Sequence, residues 1–429
     1  MSANKSMNKD KDKDKDKHQE FDVAVVGGGT AGLVFTALLA DLCATRVPGL
    51  RIALLEASPP GPLVADAELD LRVSALAPAS RAILTRLGIW QALPATCVSP
   101  YERMCVWQAA GQAGGSHSIT FDAAELGEAE LGYIVENRAV RQVAWERLEG
   151  LANVSFYTDG APVELKEAAD NSTLTFADGE TLTARLVVAA DGARSWVRQQ
   201  LGVDYQERGY GQMGVVAHVD TEQPHRETAW QRFLPAGPVA LLPLRDGRSS
   251  LVWSCPDVQA KELLAADAED FALQLEQALD GALGSIRCQT PRAGFPLAMG
   301  YARTYTGRRF ALIGDAAHRV HPLAGQGANL GLLDAASLAE QLALHLQHPL
   351  ADPGDPLVLR RYERARKGDN LATMGMMDLL NRVFMPPYAE LAGMSMGAVD
   401  RVQPLKSRLA RYAMGLARDL PAAAQPLVK

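Results

Sequence analysis

Three short segments of this 429-residue chain hold residue types that can do chemistry at useful spacings. The first is Gly27-Gly28-Gly29-Thr30-Ala31-Gly32, a GxGxxG set between the β-rich run FDVAVV (21–26) and the apolar stretch LVFTALLADL. In that setting Gly27 permits a sharp turn, Gly29 lets a pyrophosphate approach the backbone, and Gly32 lets helix and strand pack closely. The free N–H groups of the helix start, at Thr30 and Ala31, make an anion site. A second strand, RIALLE (51–56), ends in Glu56, somewhat later than usual because of the loop around Pro48-Gly49. A carboxylate there accepts both ribose hydroxyls of an adenosine, which suits FAD or NAD and disfavours a 2′-phosphate.

The second segment, TLTARLVVAADGARSWVRQ (181–199), is a strand ending at Asp191-Gly192 and a helix start carrying Ser195 and Arg198. Taken alone it reads equally well as a strand followed by an N-capped helix. The third, RRFALIGDAAHRVHPLAGQGANLGLLDAASLAEQL (308–342), is more specific. A strand ends on Asp315, a loop contains Pro322, and Gly325-Gln326-Gly327 leads into a helix starting near Ala328-Asn329. A carboxylate at a strand end can hold a sugar-alcohol hydroxyl, and a helix N-terminus stabilises negative charge on a ring. Those are the demands of FAD, with its ribityl chain and a flavin that gains charge on reduction.

Two other patterns are set aside. His318 and His321 have no HExxH or carboxylate partner to complete a metal site, so they read as structural or flavin-neighbouring and no metal is expected. A second GxGxxG, at 209–214, follows polar YQER and runs into VVAHVD; it reads as a loop, so no second nucleotide domain is expected.

The elements that must position these residues follow from composition. With 48% apolar and 22% charged residues the chain can bury a large core. Its balance of 43 basic and 50 acidic residues, net −7, argues against a nucleic-acid partner. Five cysteines, at 43, 97, 105, 255 and 288, form no CxxC, which speaks against a disulfide framework and for a reducing compartment. Residues 1–20 read as a charged, disordered leader with no signal-peptide core. The uncharged stretch 23–40 reaches the lower limit for a spanning helix, but three consecutive glycines break it. The expectation is a cytoplasmic protein with at most peripheral contact to the inner membrane.

The expected fold is mixed α/β: a Rossmann-like FAD-binding domain, an antiparallel β-sheet substrate domain and a helical C-terminal region. The first part of the FAD domain is placed at 21–204, with a substrate-side excursion near 75–110. The sheet follows at 205–292, the second part of the FAD domain at 293–345, and the helical region at 346–429. Six methionines of that last region (374, 376, 377, 385, 394 and 396) read as core filler more than as a lipid-facing groove.

In this order and separation the three segments resemble the flavoprotein aromatic hydroxylases of the single-FAD-domain, p-hydroxybenzoate-hydroxylase-like type. Within it the chain looks like the ubiquinone-biosynthesis hydroxylases. The closer likeness is carried by DLRVSALAPASRAILTRLGIW (70–90), FDAAELG (121–127), LGYIVEN (131–137), FLPAGPVALLPL (233–244) and GDAAHRVHPLAGQGANLGLLDA (314–335). It runs from about residue 21 to about 415.

The resemblance implies that Gly27, Gly29, Gly32 and Glu56 hold the ADP half of FAD, and that Arg72 lies near flavin and pyrophosphate with Arg141 as a further contact. Asp191 and Gly192 would serve the pyrophosphate and nicotinamide docking, and Asp315 the ribityl chain. Pro322, Gly325, Gln326, Gly327 and Asn329 would face the isoalloxazine, the first three as catalytic residues. It further implies NAD(P)H as reductant, O2 as co-substrate, a C4a-hydroperoxyflavin, and hydroxylation of a polyprenylated phenol or quinol. Other ubiquinone-biosynthesis proteins are the implied protein partners. A related hydroxylase of a small soluble aromatic acid or phenol is the alternative, and a non-catalytic flavin-bound scaffold a more distant one. For a catalytic base the sequence offers only His218, Tyr210 and Tyr301, and singles out none.

Overall fold

A computed structural model describes residues 18–63, 68–288, 290–320, 326–384, 388–415 and 419–425. The run FDVAVV becomes the inner strand of an eight-stranded sheet. His18–Val26 lies between Thr181–Ala189 and Ile52–Leu55, parallel to both. Phe310–Leu312 extends the parallel set on one side and Val154–Tyr157 on the other. Val23, Ala24, Val25 and all of Ile52–Leu55 are buried, as expected of strands covered on both faces. The helix Thr30–Cys43 packs against the helices Asn137–Glu149 and Gln326–Leu346.

A nine-stranded sheet forms the second layer. Its long central strand Tyr205–Thr221 pairs antiparallel with Ser249–Pro256 and with Ala293–Ala302. Thr228–Leu234 and Gly237–Pro243 continue the sheet, which ends in Arg103–Gln108 and Ser118–Asp122. One face of it packs on the helices Asp257–Ala265 and Ala268–Ala278 through Val215, Leu251, Trp253, Leu263 and Phe271.

Several expectations need correction. The expected excursion near 75–110 splits between two sheets. Val73–Leu76 and Val98–Tyr101 flank Gly132–Glu136 in a separate three-stranded sheet, while 103–108 and 118–122 join the large one. The strand Ala293–Ala302, placed by sequence in the FAD domain, is hydrogen-bonded to 205–221. The large sheet is not wholly antiparallel either, since Thr228–Leu234 runs parallel to Arg103–Gln108. The second GxGxxG is strand rather than loop. The register shifts between Gly209 and Met213, and Gly211 takes φ +65°, so the glycines accommodate an irregularity inside a continuous strand.

The C-terminal region is helical, with Pro356–Val383, Ala389–Arg401 and Gln403–Ala413. Met374, Met377 and Met396 are buried, Met394 is exposed, and Met385 lies outside the described residues. Met377, Met396 and Phe384 close the edge of the large sheet against Val106, Ile119 and Phe233. Among the described residues no helix is long and apolar enough to cross a membrane.

Candidate active site

The three sequence segments open onto one cleft of about 1190 Å³ between the two large sheets. At one end, Gly27 has φ +110° and donates its N–H to Leu55 O at 2.8 Å. A Cβ on Gly27 would sit 2.4 Å from Ala190 O, and one on Gly32 would sit 2.1 Å from Gly27 O. Gly29 differs: the nearest atom to its added Cβ is Ala190 O at 4.0 Å, and it lines the cleft with Thr30 and Ala31. Gly28, given no role from sequence, has one. A Cβ there would lie 2.8 Å from Glu56 Cγ, and its N–H donates to Glu56 Oε2 at 2.7 Å.

Glu56 also accepts the Ser58 N–H at 2.8 Å and pairs with Arg141 at 3.3 Å. Its carboxylate is thus fixed by the protein while it still lines the cleft. Arg141 is more of a clamp than a simple contact. Its Nε donates to Gly28 O at 2.7 Å and its Nη2 to Ser58 O at 2.5 Å, tying the glycine turn to the end of the second strand. Arg141→Lys, which lacks the guanidinium fork, is expected to weaken FAD binding about tenfold. Equilibrium dialysis returning an unchanged Kd would remove Arg141 from the site.

The middle segment turns at Gly192, φ +83°. Asp191 Oδ2 accepts the Val197 N–H at 3.0 Å, whereas Oδ1 is buried without a hydrogen-bond partner among the described residues. Burial pushes this carboxyl above the usual carboxylate range. Ser195 caps the short helix Trp196–Gln200 by accepting the Arg198 N–H at 3.1 Å. Arg198, given only a place in that helix from sequence, joins two loops. It donates to Ala193 O at 2.7 Å and to Ala316 O at 2.8 Å, with its guanidinium 3.7 Å over the Tyr205 ring.

In the third segment Gly314 takes φ +57°, and a Cβ there would lie 3.2 Å from Ala31 Cβ. Gly331, also unremarked in the sequence, faces the same contact, so small residues bring the first helix and the 326–346 helix together beneath the cleft. Asp315 is exposed, its side chain opening into the cleft. Burial raises its carboxyl, while His318, Arg319 and Arg72 pull it the other way. Arg72 lines the cleft, and its guanidinium has no hydrogen-bond or ion-pair partner among the described residues.

Gln326 opens the helix; Gly327 and Ala328 line the cleft. Pro322 and Gly325, with His321, lie outside the described residues. Asn329 departs from expectation. It is buried off the cleft, accepting Ala77 N–H at 2.8 Å and Ser80 Oγ–H at 2.6 Å and donating to Ala75 O at 2.9 Å. Being on the first turn of the helix, it turns inward and anchors that helix to the 73–76 strand.

Phe295, Leu297 and Ala298 of the large sheet give the cleft an apolar wall, with Val73 and Ser74 also lining it. None of the three residues considered as a base lines it. His218 is buried with both ring nitrogens unpartnered among the described residues, and burial lowers its pKa. Tyr210 donates to Asp378 at 3.2 Å and Tyr301 to Gln206 at 2.6 Å. Among the described residues no group of His, Cys, Asp and Glu could hold a metal ion, and all five cysteines are free thiols.

The donor set fits FAD. A helix start and a glycine with open space suit a pyrophosphate, Asp315 opens toward hydroxyls, and the unpartnered Asp191 Oδ1 and Arg72 offer an acceptor and a cation. The volume is of the size that encloses a large ligand.

Comparison with known proteins agrees. Residues 20–369 match the model of the FAD binding domain family. The chain is 38% identical over 397 residues to ubiquinone hydroxylase UbiL of Rhodospirillum rubrum, covering 92% of this chain and 89% of that protein. It is 35% identical over 404 residues to 3-demethoxyubiquinol 3-hydroxylase of Escherichia coli, covering 93% and 100%. Among solved structures, p-nitrophenol 4-monooxygenase PnpA from Pseudomonas putida shares the fold at a TM-score of 0.73 and 20% identity, over 94% of this chain and 99% of that one.

Proposed function

Because this chain belongs to the FAD-dependent hydroxylases of ubiquinone biosynthesis, we propose that it inserts one oxygen atom into the ring of a polyprenylated phenol or quinol. NAD(P)H is the reductant and O2 the co-substrate. The observation that carries the reading is the meeting of the three cofactor segments with the Phe295, Leu297 and Ala298 wall in one cleft. When bound, FAD supplies the reduction of O2 and the oxidising power.

The chain supplies position, charge and dryness. Thr30, Ala31 and the 30–43 helix start take the pyrophosphate, and Arg141 and Glu56 fix the turn beneath it. Asp315 orients the ribityl hydroxyls, and the start of the 326–346 helix, at Gln326 and Gly327, stabilises negative charge on the ring. The apolar wall excludes water where the aromatic ring lies, which suppresses wasteful loss of reduced oxygen. Asp191 and Gly192 serve the nicotinamide's approach.

The reading includes peripheral contact with the cytoplasmic side of the inner membrane, where such a substrate partitions. Val402, Leu405 and Leu409 are exposed at helical spacing around the Gln403–Ala413 helix, whose charged residues are all basic. A strain lacking the gene is expected to accumulate a prenylated intermediate missing one ring oxygen, read by mass spectrometry of the quinone pool. An unchanged pool in a strain without a second such hydroxylase would contradict the proposal.

A further inference from the structure

The helices 326–346 and 356–383 share a buried cluster that the reaction above does not use. Asp334, on the 326–346 helix, is wholly buried and accepts four hydrogen bonds. Its Oδ2 takes the Gly314 N–H at 3.1 Å and the Nε2–H of His318. Its Oδ1 takes Arg366 Nε–H at 2.9 Å and Asn370 Nδ2–H at 3.0 Å. Arg366 and Asn370 are themselves buried and bonded to one another at 2.8 Å. Burial alone would raise the Asp334 carboxyl; His318 and Arg366 reverse that and hold it below the usual carboxylate range.

The same stretch of the 356–383 helix grips the strand leading to this loop. Tyr362 donates its hydroxyl to Leu312 O at 2.7 Å, and Glu363 accepts the Tyr305 N–H at 3.1 Å and the Thr306 hydroxyl at 3.0 Å. Tyr362, Glu363, Arg366 and Asn370 recur at helical spacing and all engage the 305–318 segment or Asp334. Two helices thus converge on the residue just before Asp315, at a glycine held in left-handed backbone.

We propose that Asp334, with Arg366 and Asn370, is a positioning constellation that sets the Gly314–Asp315 turn for the ribityl and flavin end of the cofactor, without touching the cofactor itself. This rests on the placement of Asp315 given above. A buried carboxylate held by four donors from three parts of the chain resists rearrangement, and losing one member leaves the others short of a partner in a dry interior. Gly314 N–H is one of those donors, so the cost falls on the turn that carries Asp315. The ADP end of the cleft, built from Gly27 to Gly32 with Glu56 and Arg141, has no hydrogen bond or ion pair to this cluster among the described residues and meets it only where Ala31 packs on Gly314.

The test compares two ligands on the full chain stripped of cofactor: FAD, which spans both ends, and ADP, which needs only the first. In Asp334→Asn the Kd for FAD is expected to rise about tenfold or more, and in Asn370→Ala about threefold or more, while the Kd for ADP stays within about twofold. If Asp334→Asn does not fold, Asn370→Ala decides, with Tyr362→Phe as a second variant at which the ratio of the FAD Kd to the ADP Kd must also rise. Parallel weakening of both ligands, or no change in either, in a variant with wild-type near-ultraviolet dichroism would overturn the proposal. Wild-type protein that bound FAD no tighter than ADP would instead refute the placement of Asp315, a separate failure.

Discussion

Asp315→Asn is expected to give a folded, colourless protein. The side chain opens into the cleft, so the exchange removes a charge from the ligand's side while breaking no hydrogen bond of the carboxylate among the described residues. A carboxylate bound to a sugar hydroxyl makes a charge-assisted bond, and its loss is expected to weaken FAD binding about a hundredfold or more. Stability moves the other way. Burial raises the Asp315 carboxyl above its unfolded value, so the stability it contributes is fully present below the unfolded pKa and is lost as pH rises through the folded one. At neutral pH the cofactor-free wild type therefore carries an electrostatic penalty that the amide lacks, kept small because the carboxylate is exposed to water in the cleft. Cofactor-free Asp315→Asn should melt no lower than wild type at neutral pH, and its advantage should shrink as pH falls into the acid range. Stoichiometric yellow colour in the variant would place the ribityl contact elsewhere; a clear drop in neutral-pH Tm would show the carboxylate to be structural.

The second large effect separates two glycines of one motif. In Gly32→Ala the new methyl would stand 2.1 Å from Gly27 O, a backbone atom that no rotamer change can move. The helix must shift off the strand or the Gly27 turn must open. Overpacking of this kind costs about 1–3 kcal/mol and here also deforms the pyrophosphate site. In Gly29→Ala the new methyl has its nearest neighbour at 4.0 Å and projects where the ligand approaches. Gly32→Ala is expected to lose both FAD and thermal stability, whereas Gly29→Ala should lose FAD by about tenfold or more with an unchanged cofactor-free Tm. Thermal melts of the two cofactor-free variants, with and without added FAD, check this. Equal Tm losses would mean that the site geometry at Gly29 is misread.

The first glycine turn and the strands that lead toward Glu56 and Asp315 are legible because each is local, although the latter strand stops at Leu312 and Asp315 lies in the turn Gly314–Ala316. A turn and the elements on either side fall within a few residues, and their chemistry is fixed by residue type. What escaped were long-range pairings. Nothing near Arg103–Gln108 signals a parallel partner more than a hundred residues on, and the expected excursion near 75–110 includes that strand but not Ser118–Asp122, which finishes the large sheet. The boundary at 293 failed for a similar reason: the strand Ala293–Ala302 precedes the third cofactor segment in sequence but pairs with 205–221.

Side-chain direction was equally hidden. Asn329 sits beside Gly327 in the chain, yet the helical turn sends it inward to Ala75, Ala77 and Ser80. Arg141 was named as a contact, but its double bond to Gly28 and Ser58 depends on a helix whose approach no local pattern reveals. Arg366 and Asn370 carried no motif at all. Their signal, a buried charge and amide on the same helix as the buried Val358, Leu359, Tyr362, Met374 and Met377, becomes readable only beside Asp334.

The most direct measurement supplies the purified, FAD-loaded chain with NAD(P)H, a short-chain prenylated phenol or quinol and heavy-isotope oxygen gas, then weighs the product. The account predicts a ring hydroxyl carrying one heavy oxygen atom, formed only when reductant and substrate are both present. A flavin that is reduced and reoxidised while the prenylated ring gains no labelled oxygen would contradict it.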